Sequence, residues 1–262
     1  MDINLTDKTA LVCGGSQGLG LATAKELALL GATIILASRN ADKLKAAVQQ
    51  LDNSAGQLHS YLVLDLSAPQ EAKIIMETWL LKGSTIHILI NNAGGPPAGS
   101  IIRTDVVELK KAFNTHLLGS HVLARLILPG MRQAGYGRII NILSTAVKQP
   151  INGLGISNSI RAALANWAKT LANEIGYGGI TVNNVLPGYI NTNRLDYLFN
   201  QQADDQGISK LEILTRTLSS IPAKRLGEPG EFGAIVAFLC TPAAAYINGI
   251  NLPVDGGRTG NL

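Results

Sequence analysis

Cysteine is almost missing: Cys13 and Cys240 are the only two in 262 residues, and each lies inside an apolar stretch. They offer neither a disulfide framework nor metal-ligand spacing, so both read as reduced core residues of a cytoplasmic protein. Long apolar runs are missing as well. None approaches the ~18 residues of a membrane-spanning helix, and residues 1–8 have no apolar core of the signal-peptide kind. The four histidines, His59, His87, His116 and His121, form no ligand motif, which leaves no metal site to predict. The basic residues are scattered, their longest runs being Lys110-Lys111 and Lys224-Arg225. The net charge of +4 therefore reads as an ordinary solvated surface, not a nucleic-acid footprint. No repeat, low-complexity segment or charged linker divides the chain. With 46% hydrophobic against 15% charged residues, it reads as one well-buried domain spanning 1–262.

What is present is an alternation. Apolar strand-like runs at 9–12, 33–37, 61–64, 87–91, 138–143, 181–186 and 250–254 are separated by helix-like segments. Strands that read as continuous Ile/Leu/Val runs are buried on both faces and therefore parallel. The predicted fold is an α/β, Rossmann-like doubly wound domain with a seven-stranded, mostly parallel sheet and helices on both faces. Ligands of such sheets bind beyond the C-terminal ends of the strands.

The first of those ends carries Cys13-Gly14-Gly15-Ser16-Gln17-Gly18-Leu19-Gly20, followed by a helix-like run over 21–30. Glycines at this spacing let backbone N–H groups and a helix N-terminus face a phosphate, because no Cβ blocks the approach. The turn predicts a dinucleotide pyrophosphate site, with a plain loop as the alternative. After the second strand come Ser38-Arg39-Asn40, without the acidic residue that would hold the ribose 2′-OH of NAD(H). Arg39 suits a 2′-phosphate, so NADP(H) is the expected cofactor and NAD(H) the alternative. A solvated arginine opening a helix is the other reading of Arg39, and Gln17 adds no second cation in the turn.

Further strand ends carry Asp65-Leu66, Asn91-Asn92-Ala93-Gly94, Pro187-Gly188-x-x-x-Thr192 and Val254-Asp255-Gly256-Gly257. With the glycine turn, these motifs resemble in order and spacing those of the short-chain dehydrogenase/reductase superfamily, over essentially the whole chain. The resemblance implies that Gly14, Ser16, Gln17, Gly18, Leu19 and Gly20 cradle the cofactor, with Ser38 and Arg39 beside its ribose. It puts Asp65 and Leu66 at the adenine and has Asn91, Ala93 and Gly94 shape the cofactor floor. Pro187, Gly188, Ile190 and Thr192 fall at the nicotinamide, whose carboxamide Thr192 meets. Helix or turn capping is the other reading of Asp65 and Asn91.

In the family, ketone reduction commonly uses an Asn, Ser, Tyr and Lys set. Ser144 falls at the serine position, where its hydroxyl can donate to a developing alkoxide. The positions expected for Tyr and Lys hold Ser157 and Arg161, and the asparagine position, just before Leu117-Leu118-Gly119, holds His116. None of the six tyrosines has a lysine four residues later. A serine is shorter than a tyrosine and a weaker acid than a phenol, whose pKa is about 10. Arg161 stays protonated and can hold ribose hydroxyls. His116, with an unperturbed pKa of about 6.5, is a candidate proton donor through a water, with a structural histidine as the alternative. The stretches Gly94-Gly95-Pro96-Pro97, Val147-Lys148-Gln149-Pro150 and Ser157-Asn158 resemble a β-ketoacyl-carrier-protein-reductase-like subgroup that departs from the usual tetrad.

The expected function is an NADP(H)-dependent oxidoreductase acting on a small carbonyl or alcohol substrate. A non-catalytic NADP(H)-binding sensor or partner protein, and a non-redox lyase or dehydratase, are the competing readings. Residues 105–131 and 157–175 are expected as two long helices. Ile160, Leu164, Trp167, Leu171 and Ile175 form one apolar face of the second, which Gly176 closes. The resemblance implies that these helices form the interface of a homodimer or homotetramer. It also implies that the polar stretch 193–220 is a mobile substrate lid, in which Arg194, Lys210 and Arg216 read as surface charges. The loop 94–99 reads equally as a pocket wall or a rigid turn.

Overall fold

The computed structural model describes residues 1–261. Its strands are β1 (Thr9–Cys13), β2 (Thr33–Ser38), β3 (Ser60–Val63), β4 (Ile88–Asn91), β5 (Gly137–Ile142), β6 (Ile180–Pro187) and β7 (Asn251–Val254). They make one parallel sheet in the order β3-β2-β1-β4-β5-β6-β7. Alternate side chains feed two cores: Ala10, Val12, Ile34, Leu36, Ile88 and Ile90 one face, Leu11, Cys13, Ile35, Ala37 and Leu89 the other. Burial on both faces is why the strands carry unbroken apolar runs.

The first face is covered by α1 (Gly18–Leu29), α2 (Ala41–Val48) and α9 (Pro229–Leu239), whose Leu27, Leu44, Phe232 and Val236 are fully buried. The helices α1 and α9 approach closely enough that a Cβ on Gly233 would lie 2.8 Å from the Ala22 carbonyl oxygen. The second face is covered by α3 (Pro69–Leu80), α5 (Gly119–Ala134) and α6 (Gly155–Ile175), while α4 (Val106–Phe113) packs on α6 through Ala112, Ile156 and Ile160. Beyond the strand ends, α7 (Asn193–Gln206) and α8 (Lys210–Ser219) pack on each other through Leu195, Phe199, Ala203 and Ile213. The stretch 193–220 is thus a helix pair with its own small core, and the glycine that interrupts its pattern, Gly207, is the left-handed cap of α7.

Three expectations are corrected at the level of helices. The run 105–131 is not one α-helix, because Asn114–Leu118 forms a π-helical turn between α4 and α5, and α5 continues to Ala134. The second long helix begins at Gly155, not Ser157. Gly176 ends it with ordinary right-handed dihedrals; a 3₁₀ turn follows, and the left-handed residue is Gly179 (φ 71°).

An amide chain crosses the sheet. Asn91, Asn141, Asn184 and Asn251 are paired in register on four neighbouring strands. Each side-chain Nδ2 donates to the next Oδ1 at 2.8 Å, from β4 to β7. Every amide of the chain thereby finds a partner, while the first acceptor, Asn91 Oδ1, has none.

Candidate functional site

A cleft of about 1470 Å³ runs along the C-terminal ends of the strands. It begins at the glycine turn. Gly14 (φ 58°) and Gly18 (φ 57°) adopt left-handed dihedrals, and a Cβ on Gly14 would lie 2.6 Å from the Asn92 carbonyl oxygen. No side chain caps the N-terminus of α1 and no acidic residue sits in its first turn, so its open N–H groups remain available to an anion. Arg39 and Lys43 line the same end and take part in none of the ion pairs found among the described residues. Ser38, between the turn and Arg39, keeps a buried Oγ without a partner. A cradle that a Cβ would fill, an orphaned hydroxyl and two cations are what a phosphorylated dinucleotide would use, so the residues present fit the expected cofactor.

Of the residues expected to hold it, Gly14, Ser16, Gln17, Gly18, Leu19, Ser38, Arg39, Asp65, Leu66, Ala93, Gly94, Pro187, Gly188, Ile190 and Thr192 line the cleft. Gly20 and Asn91 do not. Gly20 lies under the turn, where a Cβ would be 2.3 Å from the Gly14 carbonyl oxygen, and Asn91 is committed to the amide chain within the sheet. Asp65 accepts from the Ser67 backbone N–H at 2.8 Å, so it caps a turn while facing the cleft. Thr192 caps α7, accepting from Leu195 N–H at 3.3 Å. A Cβ on Gly188 would meet Asp255 Cα at 2.6 Å, which shows how the Pro-Gly and Asp-Gly-Gly motifs pack on each other.

At the other end, Ser144, Ser157, Arg161 and His116 share the cleft. Ser144 follows β5 and caps a 3₁₀ turn, its Oγ accepting from Ala146 N–H at 3.1 Å. Ser157 and Arg161 lie one turn apart on the inner face of α6, both buried. Arg161 Nη1 donates to the Ile142 carbonyl at 2.9 Å. Burial and the neighbouring Arg194 charge push its pKa down to about 10, so it remains a cation at neutral pH.

His116 is held inward by the π-helical turn, and a hydrogen bond ties it to the Gly94 backbone. Burial first, and the Arg161 charge second, push its pKa down to about 3. With its pKa lowered so far from 6.5, the imidazole is uncharged at neutral pH and acts as a hydrogen-bond partner of the cleft floor, which favours the structural reading of His116 over the proton donor.

The loop 94–99 is a wall of the cleft. Gly99 N–H donates to the Gly153 carbonyl at 2.6 Å and Gly155 N–H to the Gly99 carbonyl at 2.9 Å. Asn158 pins the facing segment through Ile151, accepting at 3.3 Å and donating at 2.9 Å. Of the three cations read as surface charges, Lys210 and Arg216 pair with Asp196 and Glu212. Arg194 is different: it lines the cleft and donates from Nη2 to the Pro96 carbonyl at 3.0 Å. Its chain position, two residues past Thr192, was the available signal. Lys43, the second cation beside Arg39, was legible as the residue one helical turn beyond the cap Asn40.

Residues 14–259 match the family model described as enoyl-(acyl carrier protein) reductase. The chain is 33% identical to a 3-oxoacyl-[acyl-carrier-protein] reductase of Vibrio cholerae, over 97% of this chain and 98% of that one. It is 34% identical to a tropinone reductase homolog of Arabidopsis thaliana, over 98% and 94% of the two chains. Among solved structures it is similar to L-sorbose reductase from Gluconobacter frateurii complexed with NADPH and L-sorbose, with a TM-score of 0.93 and 32% identity across the full length of both.

Proposed function

This chain belongs to the short-chain dehydrogenase/reductase superfamily, and on that premise we propose that it is an NADP(H)-dependent oxidoreductase of carbonyl or alcohol substrates in which Ser157 and Arg161 stand where relatives use Tyr and Lys. The observation that carries the reading is one continuous cleft, with the glycine cradle, Arg39 and Lys43 at one end and Ser144, Ser157 and Arg161 at the other. Bound NADP(H) would supply or accept the hydride. The N-terminus of α1 would take the pyrophosphate, Arg39 and Lys43 the 2′-phosphate, Asp65 the adenine end and Thr192 the carboxamide.

Ser144 is the hydroxyl placed to donate to a developing alkoxide. Arg161, anchored on the Ile142 carbonyl, would hold the nicotinamide ribose and contributes positive charge without giving up a proton. Ser157 sits one turn away but lacks the reach and acidity of a phenol. His116, neutral, holds the Gly94 carbonyl and so the floor under the nicotinamide. Positioning therefore does most of the work, and the final proton comes from solvent. The likeness to 3-oxoacyl reductases suggests a 3-oxoacyl-type substrate.

The test is NADPH oxidation on a panel of activated ketones. The double change Ser157→Tyr with Arg161→Lys is expected to raise the rate by up to ~10²–10⁴, the usual contribution of a general acid, and Ser144→Ala to lower it again. A protein that binds NADPH yet stays silent on every carbonyl, with the restored pair silent too, would instead be the sensor or non-redox protein.

A further inference from the structure

The substrate end of the cleft carries more positive charge than Arg161, the cation already given a role in the reaction, supplies by itself. Arg161 is nine-tenths buried and Arg194 lines the mouth, and both flank Gly95. A Cβ there would lie 3.4 Å from Arg194 Nη2 and 3.9 Å from Arg161 Nη2. The ion pairs found among the described residues are Lys73–Glu77, Lys210–Asp196, Arg216–Glu212 and Arg225–Glu231, so no carboxylate neutralises either guanidinium. A third cation, Arg258, also lines the cleft. Its guanidinium stacks on Tyr189 at 4.8 Å, while its buried Nε has no hydrogen-bond partner. Of the acidic residues that line the cleft, Glu108 and Asp205 are exposed.

Arg161 is buried and Arg194 exposed at the mouth; their like charges repel, and the Arg161 proton is held less tightly because of burial first and the Arg194 charge second. An oxyanion between them would reverse that cost and give both forks a charge-assisted partner. Each guanidinium is only partly committed, Arg161 through Nη1 to Ile142 and Arg194 through Nη2 to Pro96, which leaves donors on both.

Resting on the reductase reading above, we propose that the substrate carries a carboxylate close to its reacting carbon, as in an oxo acid or the matching hydroxy acid, with Arg194 as the specificity-determining residue and Arg161 supplying the second charge. Carboxylate is favoured over phosphate because Arg161 shares the same pocket as Ser144 and Ser157. An anion held there lies at the reacting end of the cleft, where a carboxyl group is the natural substituent of the carbonyl carbon. The arrangement also relieves the lack of an acid: a fixed pair of cations stabilises negative charge developing on the adjacent oxygen without transferring a proton.

The experiment measures binding, so that it does not depend on turnover. Protein saturated with NADP⁺ is titrated with phenylpyruvate and benzoylformate, with their methyl esters, and with phenyl phosphate. The acids are expected to bind at least ~10-fold more tightly than the esters, a margin in keeping with a charge-assisted pair. Arg194→Met should erase the preference, Arg194→Lys should keep part of it, and the affinity for NADPH should be unchanged in both. Equal binding of acids and esters, absence of saturable binding by any acid, or a preference for phenyl phosphate would overturn the proposal. A ~10-fold or greater loss of NADPH affinity in Arg194→Met would also overturn it, by assigning Arg194 to the coenzyme. Failure of the wild-type protein to bind NADPH would overturn the reductase reading itself, and with it this proposal. Tight NADPH binding without the acid preference overturns only the inference drawn here.

Discussion

His116 offers the sharpest physical test of the site. Its imidazole is 4% exposed, faces the Arg161 cation and has its pKa pushed from 6.5 down to about 3. Unfolding returns it to water, where it takes up a proton near pH 6.5. Between those two values the unfolded chain binds more protons than the native one, so the contribution of His116 to stability is complete above pH 6.5 and is lost as the pH falls toward 3. Each pH unit in that window is worth about 1.4 kcal/mol, so moving from about pH 7 to about pH 4.5 should cost about 2–3 kcal/mol through this residue alone. Urea denaturation at both pH values, followed by far-ultraviolet circular dichroism, measures the loss. His116→Gln keeps a neutral hydrogen-bonding side chain and cannot charge, so the variant should lose about 2–3 kcal/mol less than the parent over the same interval. Other carboxylates and histidines cancel in the difference. If parent and variant lose stability equally, the imidazole is not held neutral, and His116 returns as an acid with a pKa near neutrality.

Cofactor choice should follow Arg39 and Lys43: NADPH is expected to bind at least ~10-fold more tightly than NADH, Arg39→Asp should erase or reverse the preference, and equal affinities in the parent would refute the assignment. Assembly should follow the paired faces of α5 and α6, where Trp167, Leu171 and Leu128 line a groove of about 250 Å³. The protein is expected to sediment as a dimer or tetramer and Leu171→Glu to dissociate it, since burying an unpaired carboxylate in an apolar interface is costly. A monomeric parent at micromolar concentration would refute the interface.

Much of this molecule is local in origin. The seven strands announce themselves as apolar runs because a parallel sheet buried on both faces demands them, and the structure moves their ends by about one residue. Glycines 14 and 18 are legible because the backbone at those positions needs dihedrals that side chains avoid. Short-range chemistry also places Ser144 after its strand and Ser157 one turn before Arg161. Four things are decided only when distant segments meet. The π-helical turn at 114–118 has no clear compositional mark, yet it aims His116 inward. The pKa of that residue depends on burial and on a cation contributed by another helix. The amide chain needs four asparagines brought into register across residues 91 to 251. Arg194 reads as a surface charge along the chain, like Lys210 and Arg216, because its nearness to Thr192 is the single local mark that sets it apart. Only the folding of α7 across the strand ends sets it against the Gly95-Pro96 wall beside Arg161, while the other two find carboxylates of their own. Backbone preference and the hydrophobic pattern act within a few residues and so survive in the sequence, whereas desolvation and the field of a neighbouring charge are properties of an enclosed space and arise only when the chain closes around it.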